Sequence, residues 1–233
     1  MDYMKEFKSV AEQFALCGNV LSIEPYGEGH INVTYLITTD KNKKYILQNV
    51  NTSVFRDPEG LMNNIAAVTA HIAKKVTDKR GVLHIVNTLS GKTYHTAPDG
   101  SVWRVTDYIE DSLCLLLPET EADFYESAVA FGTFQQQLLD FPAHSLTESI
   151  PNFHNTPDRY RIFREVLERD PMGRAAGVQD EIEFVLARED EAATITRLLQ
   201  SGQLPLRVTH NDTKLNNVML DKATRKALCV IDL

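Results

Sequence analysis

Phe7, Val10, Ala11 and Phe14 recur at the spacing of one helix face, which predicts a first helix with Gly18 as its C-cap. The pattern then turns to short, partly alternating apolar runs at 20–26, 32–38 and 45–50, which predict three strands. A glycine-rich turn, Tyr26-Gly27-Glu28-Gly29-His30-Ile31-Asn32, separates the first two, and Asp40-Lys41-Asn42-Lys43 separates the next pair. Asp57-Pro58 opens a helix expected over 59–75, with Leu61, Ile65, Val68 and Ile72 on one face. Two further strands are expected at 83–88 and 103–109, with the turn Ala97-Pro98-Asp99-Gly100 before the second. Beyond Glu110 helical periodicity takes over. A long helix is predicted over 119–140, carrying Phe124, Ala128, Phe131 and Leu138, and others near 157–169 and 178–200. From Leu204 the chain returns to loops and short strands. The pattern therefore predicts an α+β chain with a sheet-rich segment over 1–108 and a mainly helical one over 109–233, the boundary falling between Asp107 and Asp111.

Composition narrows the class. Hydrophobic residues make up 43% and charged residues 24% of 233 residues, which excludes a disordered, collagenous or coiled-coil chain. Lys and Arg number 24 against 32 Asp and Glu; the net charge of −8 argues against a nucleic-acid partner and suits a neutral or cationic small substrate. Cys17, Cys114 and Cys229 are too few and too scattered for a disulfide framework and fit a reducing compartment. No apolar run approaches the roughly 18 residues of a membrane span, and the first residues lack the basic-then-apolar order of a signal peptide. A cytoplasmic location away from membranes is the expectation.

The densest chemistry lies near the C-terminal end, in Thr209-His210-Asn211-Asp212-Thr213-Lys214-Leu215-Asn216-Asn217-Val218. This fits H-x-D-x-x-x-x-N followed by an apolar strand. A polar turn at 221–226 and a second apolar run, Ala227-Leu228-Cys229-Val230-Ile231, lead to Asp232. Such a hairpin brings Asn217 and Asp232 to one end of two paired strands, with Asp212 in the loop just before. Phosphoryl transfer uses such a set: one carboxylate to orient a hydroxyl and take its proton, and an amide oxygen and a second carboxylate to hold Mg²⁺ against nucleotide phosphates. Asp212 is the candidate base, Asn217 and Asp232 the candidate metal ligands, and His210 a support for the loop. The plain alternative is a polar loop whose Asp and Asn only serve turns.

The segments T-H-N-D-T-K-L-N-N-V and C-V-I-D-L resemble the catalytic region of aminoglycoside-phosphotransferase-type kinases, and within them the N-acetylhexosamine 1-kinase branch. P-Y-G-E-G-H-I-N (25–32), K-Y-I-L-Q-N-V-N (44–51), W-R-V-T-D-Y-I-E (103–110) and I-P-N-F-H-N-T-P-D-R-Y (150–160) extend the resemblance over nearly the whole chain. It implies a protein-kinase-like bilobal fold. A small N-terminal lobe of about five antiparallel strands would cover ATP, above a helical C-terminal lobe. It also implies ATP-dependent phosphorylation of an N-acetylhexosamine at the anomeric hydroxyl. A nucleotide-binding pseudokinase or scaffold, or a kinase for an aminoglycoside, choline or homoserine, are the alternatives. Relatives continue with further helices beyond the metal-binding Asp, so an incomplete C-terminal lobe is expected here.

The upstream segments each carry two readings. Gly27 and Gly29 either let backbone N–H groups approach phosphate or simply serve a hairpin at positive φ. His30 and Asn32 are candidate substrate contacts or ordinary loop residues. Period two puts Lys44, Ile46 and Gln48 on one strand face. Kinase-like folds usually carry lysine where Gln48 falls, so Gln48 is a phosphate donor without charge or a half-buried sheet residue. The following helix shows Met62-Asn63-Asn64 where an acidic partner would sit, so both members of the usual ion pair are missing together. The resemblance makes Asp107, Tyr108 and Ile109 the hinge that meets adenine through backbone groups, while Trp103 reads as core. Thr156-Pro157 reads as a helix start, with His154 and Arg159 as lesser substrate candidates. The acidic runs at 119–121 and 188–191 read as solvated helix surface.

Overall fold

Alternating burial along three adjacent segments builds the N-terminal sheet. In the structure, a computed structural model that describes residues 3–27 and 31–233, β1 (Val20–Pro25), β2 (Val33–Thr39) and β3 (Lys44–Val50) form an antiparallel meander. β6 (Val102–Asp107) pairs with β3, while the two-residue strands β4 (Ile85–Val86) and β5 (His95–Thr96) pair with β6. The order is β1-β2-β3-β6-β4, with β5 also on β6. Tyr35, Ile37, Tyr45, Leu47, Trp103 and Val105 share one face and are buried under α1 (Tyr3–Ala11). Phe7 of that helix lies 4.7 Å from the Tyr35 ring and 5.0 Å from Trp103. On the opposite face Val50 and Val102 pack against Leu61, Met62 and Ile65 of α2 (Pro58–Ala73). Asp57 caps that helix by accepting the Gly60 N–H at 2.9 Å, with Pro58 in its first turn.

Two local expectations change. Helix α1 stops at Ala11, and Phe14 instead forms a bridge with Thr88. Gly18 is no helix cap: at φ +96° it allows a close backbone approach, where a Cβ would come within 2.4 Å of Asp40 Oδ1. That carboxylate receives the Asn19 N–H at 2.9 Å and side-chain amide at 2.8 Å.

A second sheet, β7-β8-β9, joins Ser112–Cys114, Val218–Asp221 and Ala227–Val230. It packs on α3 (Glu121–Gln137), where Ala130, Phe134 and Leu138 meet Val218, Leu220 and Val230. The expected apolar face of this helix is displaced. Phe124 is 66% exposed, and the buried positions of the first two turns include Asp123 and Glu126. The β8–β9 turn accounts for this. Arg225 donates to both oxygens of Asp123 at 2.8 Å, Lys226 donates to Glu126 at 2.7 Å, and the Ala227 N–H reaches the other Glu126 oxygen at 2.9 Å. Asp123 also closes a capping box with Thr120. Glu119 pairs with Arg225 at 3.0 Å, so that part of the acidic run does more than face solvent.

The chain divides into two compact units, Met1–Ser149 with Val208–Leu233, and Ile150–Arg207. The hairpin β8–β9 thus belongs with the N-terminal sheet, a different division from a cut between 108 and 109. The second unit holds α4 (Thr156–Arg169), α5 (Gln179–Leu186), α6 (Glu189–Ala192) and α7 (Thr194–Gln200). Asn155, rather than Thr156, caps α4 by accepting the Asp158 N–H at 3.2 Å. The single helix expected over 178–200 is broken twice, and arginine side chains bond carbonyls near both breaks. Arg188 Nη1 binds Phe184 O at 2.8 Å while its own N–H turns to Val185 O, and Arg197 Nη2 binds Asp190 O at 2.7 Å.

Candidate active site

The loop before β8 is fixed by its own polar groups. The Asp212 N–H donates to His210 Nδ1 at 3.3 Å, so the imidazole proton sits on Nε2, which donates to Ile231 O at 2.8 Å. Phe131 and Phe134 hold the ring edge-on, with centroids at 5.5 and 6.0 Å. His210 therefore ties the loop to the end of β9. Asn217 is buried, and its Nδ2 donates to Asp212 O at 2.9 Å and Asp212 Oδ2 at 3.1 Å. Lys214, which the motif reading left unassigned, pairs with Asp212 Oδ2 at 2.8 Å. That ammonium first, then Asn217, holds the Asp212 carboxyl below its usual range despite partial burial, so it is ionised at neutral pH.

The Ile231 N–H donates to Asn217 O at 2.9 Å, which places Asp232 one residue past the pairing. Asp232 is exposed, with φ +63°. The hairpin therefore brings the backbones at Asn217 and Asp232 to one end of the strands, with Asp212 bonded to Asn217. Because the Asn217 amide hydrogens point at Asp212, its Oδ1 is left as an acceptor. With the carboxylate of Asp232, one residue past the pairing, it gives candidate donors that are all oxygen. Such a set fits a hard cation that completes its shell with phosphate and water oxygens. Among the described residues there is no cluster of three His, Cys, Asp or Glu that could hold a metal on protein ligands alone. A cavity of about 450 Å³, bordered by Val82, Tyr125, Thr133, Phe134 and Leu228, includes none of Asp212, Asn217 and Asp232.

On the sheet side, Gly27 adopts φ +74° with open space where a Cβ would stand. Gly29 and His30 lie outside the described residues. Asn32 Oδ1 accepts the Asn51 N–H at 3.0 Å, which pins the end of the turn to the end of β3. The Asp107 and Tyr108 N–H groups donate to His84 O at 2.9 Å and Lys44 O at 3.3 Å, so within the hinge the Ile109 N–H is the one outside the sheet ladder. Burial raises the Asp107 carboxyl, with His84 and Lys43 acting against it. Tyr108 stands edge-on to Tyr26 at 5.9 Å, with Lys44 Nζ 5.3 Å from its ring centre.

Gln48 is engaged on both sides. Its Nε2 donates to Thr34 Oγ1 at 3.1 Å, and its Oε1 accepts from Arg104 Nε at 2.9 Å. Arg104 is 3% exposed and was not foreseen as a site residue. The signal was a lone charge in Val102-Trp103-Arg104-Val105-Thr106, on the face opposite Trp103. Its pairing opposite Gln48 depends on strand order. Of Met62-Asn63-Asn64, the stretch of α2 where an acidic partner was expected, Met62 is fully buried.

Residues 22–233 match the model of the phosphotransferase enzyme family. The chain belongs to that family. Its fold is α+β and protein-kinase-like, similar to an aminoglycoside phosphotransferase from Alicyclobacillus acidocaldarius (14% identity, TM-score 0.57, 97% of this chain and 64% of that one). It is also similar to an amicoumacin kinase solved with AMP-PNP and Ca²⁺ (16%, 0.56, 100% and 64%). A third is an aminoglycoside phosphotransferase mutant in a ternary complex with ADP and hygromycin B (11%, 0.54, 97% and 69%). The chain spans 64% of the length of the first two. No helix among the described residues is long and apolar enough to cross a membrane.

Proposed function

We propose that this protein transfers the terminal phosphoryl group of ATP to a hydroxyl of a small molecule, with an N-acetylhexosamine and its anomeric hydroxyl as the acceptor. The observation that carries this reading is the ionised Asp212 carboxylate, 3.1 Å from the Asn217 amide, at the end of the hairpin that also presents Asp232. Asp212 accepts a hydrogen bond from the acceptor hydroxyl and takes its proton as the new O–P bond forms and the bridging P–O bond to ADP breaks. Asn217 and Asp232 are the residues that would hold Mg²⁺. The cation, when bound, neutralises charge on the β- and γ-phosphates. Gly27, at positive φ, gives the turn freedom to approach phosphate, with Gly29 as the second candidate there; Asp107, Tyr108 and Ile109 are the candidates to meet adenine, through the Ile109 N–H and backbone carbonyls. His30 and Asn32 are the acceptor-side candidates.

The preference for a neutral sugar rests on the loop. Between His210 and Asn217 the one acid is Asp212, beside the neutral hydrogen-bonding groups Asn211, Thr213, Asn216 and Asn217. An aminoglycoside carries several ammonium groups and calls for more carboxylates than that. The names of the structural relatives favour the aminoglycoside as second reading, and Gln48 in place of lysine favours a nucleotide-binding pseudokinase as third. Cys17, Cys114 and Cys229 are free thiols, in keeping with a cytoplasmic setting. An ATP-consumption assay with N-acetylhexosamines and aminoglycosides side by side tests the proposal. Turnover with the sugar supports it, turnover only with the antibiotic replaces the acceptor, and nucleotide binding with no turnover leaves the pseudokinase.

A further inference from the structure

Thr34, Gln48 and Arg104 stand opposite one another in register across β2, β3 and β6 and are joined by hydrogen bonds of 3.1 and 2.9 Å. The row has two meaningful ends. At one, Thr34 O accepts the N–H of Tyr26, the residue before Gly27. At the other, Arg104 Nη1 donates to Leu233 O at 3.2 Å, next to Asp232. It therefore runs from the glycine turn to the candidate metal acid, the path a nucleotide polyphosphate would follow.

The charge balance of the row is incomplete. Arg104 is buried, yet among the described residues no side-chain carboxylate forms an ion pair with it: its Nη1 meets a main-chain oxygen, Leu233 O, and Asp232 reaches it only through its longer-range field. A guanidinium stays protonated in a protein. A buried cation without a paired anion is costly, and an arriving anion lowers that cost. Hydrogen-bond capacity points the same way. Arg104 Nε fixes the Gln48 amide with Oε1 inward, so Nε2 keeps one hydrogen beyond its bond to Thr34. The Thr34 hydroxyl, an acceptor in that bond, keeps its own proton to donate.

We propose that the Thr34–Gln48–Arg104 row is the polyphosphate-binding element of this sheet, with Arg104 as the positioning residue that aims Gln48 and supplies the positive charge a glutamine lacks. This deepens the nucleotide reading above and rests on it. The anion is recognised through its phosphate oxygens; the adenosine part makes no use of the row.

The test compares ATP, inorganic tripolyphosphate and adenosine by calorimetric binding to the unsubstituted protein, Arg104→Met, Arg104→Lys and Gln48→Leu. Charged hydrogen bonds of this kind correspond to about 10- to 100-fold in affinity. Arg104→Met is expected to weaken ATP and tripolyphosphate by that factor while adenosine stays within about twofold. Arg104→Lys should recover most of the loss. Gln48→Leu, which leaves the buried cation in place, should repeat the ATP-specific loss if Arg104→Met fails to fold, with melting midpoints as the folding check. Unchanged ATP affinity in both Arg104→Met and Gln48→Leu, or equal losses for ATP and adenosine in the folded variants, overturns the inference. If the unsubstituted protein binds no ATP, the functional reading falls first and this one with it.

Discussion

The N-terminal sheet and the C-terminal hairpin β8–β9 belong to one compact unit but are held by different forces. The sheet is fixed by apolar burial on both faces: Ile37, Leu47 and Val105 are fully buried beneath α1, and Val50 and Val102 pack on α2 beside the polar row of Gln48 and Arg104. The hairpin has an apolar interior of its own, yet its tip and the loop before it are set by charges. Arg225 and Lys226 seat on Asp123 and Glu126, Arg80 reaches Asp221 at 2.9 Å, and Lys214 and Asn217 hold Asp212. The contrast teaches where sensitivity lies. Burial of carbon responds to cavities and hardly to pH, whereas carboxylates in ion pairs make the chemistry-bearing segment a titrating one.

The largest expected effect separates chemistry from binding within the hairpin. Asp212→Asn should lower phosphoryl transfer by about 10²- to 10⁴-fold while ATP affinity stays within a few-fold, because the carboxylate acts on the hydroxyl. Near-normal turnover, measured with saturating ATP and sugar, removes Asp212 from the role of base.

On the sheet side, Leu47→Ala opens a cavity in a fully buried position and should cost about 2–5 kcal/mol in urea unfolding. That loss should be nearly the same at pH 7 and pH 4, since no ionisable group is removed. A loss that changes strongly between the two pH values would break the distinction between the regions.

Asn217→Ala and Asp232→Ala should each raise the Mg²⁺ concentration needed for nucleotide binding, and the double variant should add little to either single one if both serve one ion. Independent, additive shifts in a magnesium titration count against a shared site.

Acid should act on the hairpin first. Thr224 and then Arg80 hold the Asp221 carboxyl at about 2, Lys226 lowers Glu126, and Arg225 holds Asp123 further below the carboxylate range. Each pKa is depressed in the folded state. Their stabilisation is therefore complete above the unfolded value of about 4 and lost as pH falls from there toward 2 and below. Thermal midpoints should drop between pH 5 and pH 2.5, and Asp123→Asn with Glu126→Gln should flatten that drop while lowering the midpoint at pH 7. Fluorescence of Trp103, the sole tryptophan and part of the sheet core, should persist at pH values where the hairpin loosens.

The smallest effect concerns the acceptor. A neutral sugar leaves few charge pairs to screen, so its KM should change little between about 0.05 and 0.5 M salt. A steep rise in KM would point to a cationic acceptor.

The sequence by itself determined the strands of the meander, since period two is written into residues 33–50 and needs only neighbours to be read. It also determined the hairpin that carries Asn217 and Asp232 and the loop that carries Asp212, because those spacings are local. Capping of α2 by Asp57 was legible for the same reason. What only the tertiary structure decided are the partnerships across long stretches of chain. Phe124 lost the buried face of α3 to Asp123 and Glu126 because Arg225 and Lys226 arrive from a turn about a hundred residues later. Gln48 found its charged neighbour in Arg104 because β6, and not β4 or β5, lies beside β3. Periodicity assigns a residue to a face. Which opposite residue meets it depends on strand order and register, set by the burial of the whole sheet.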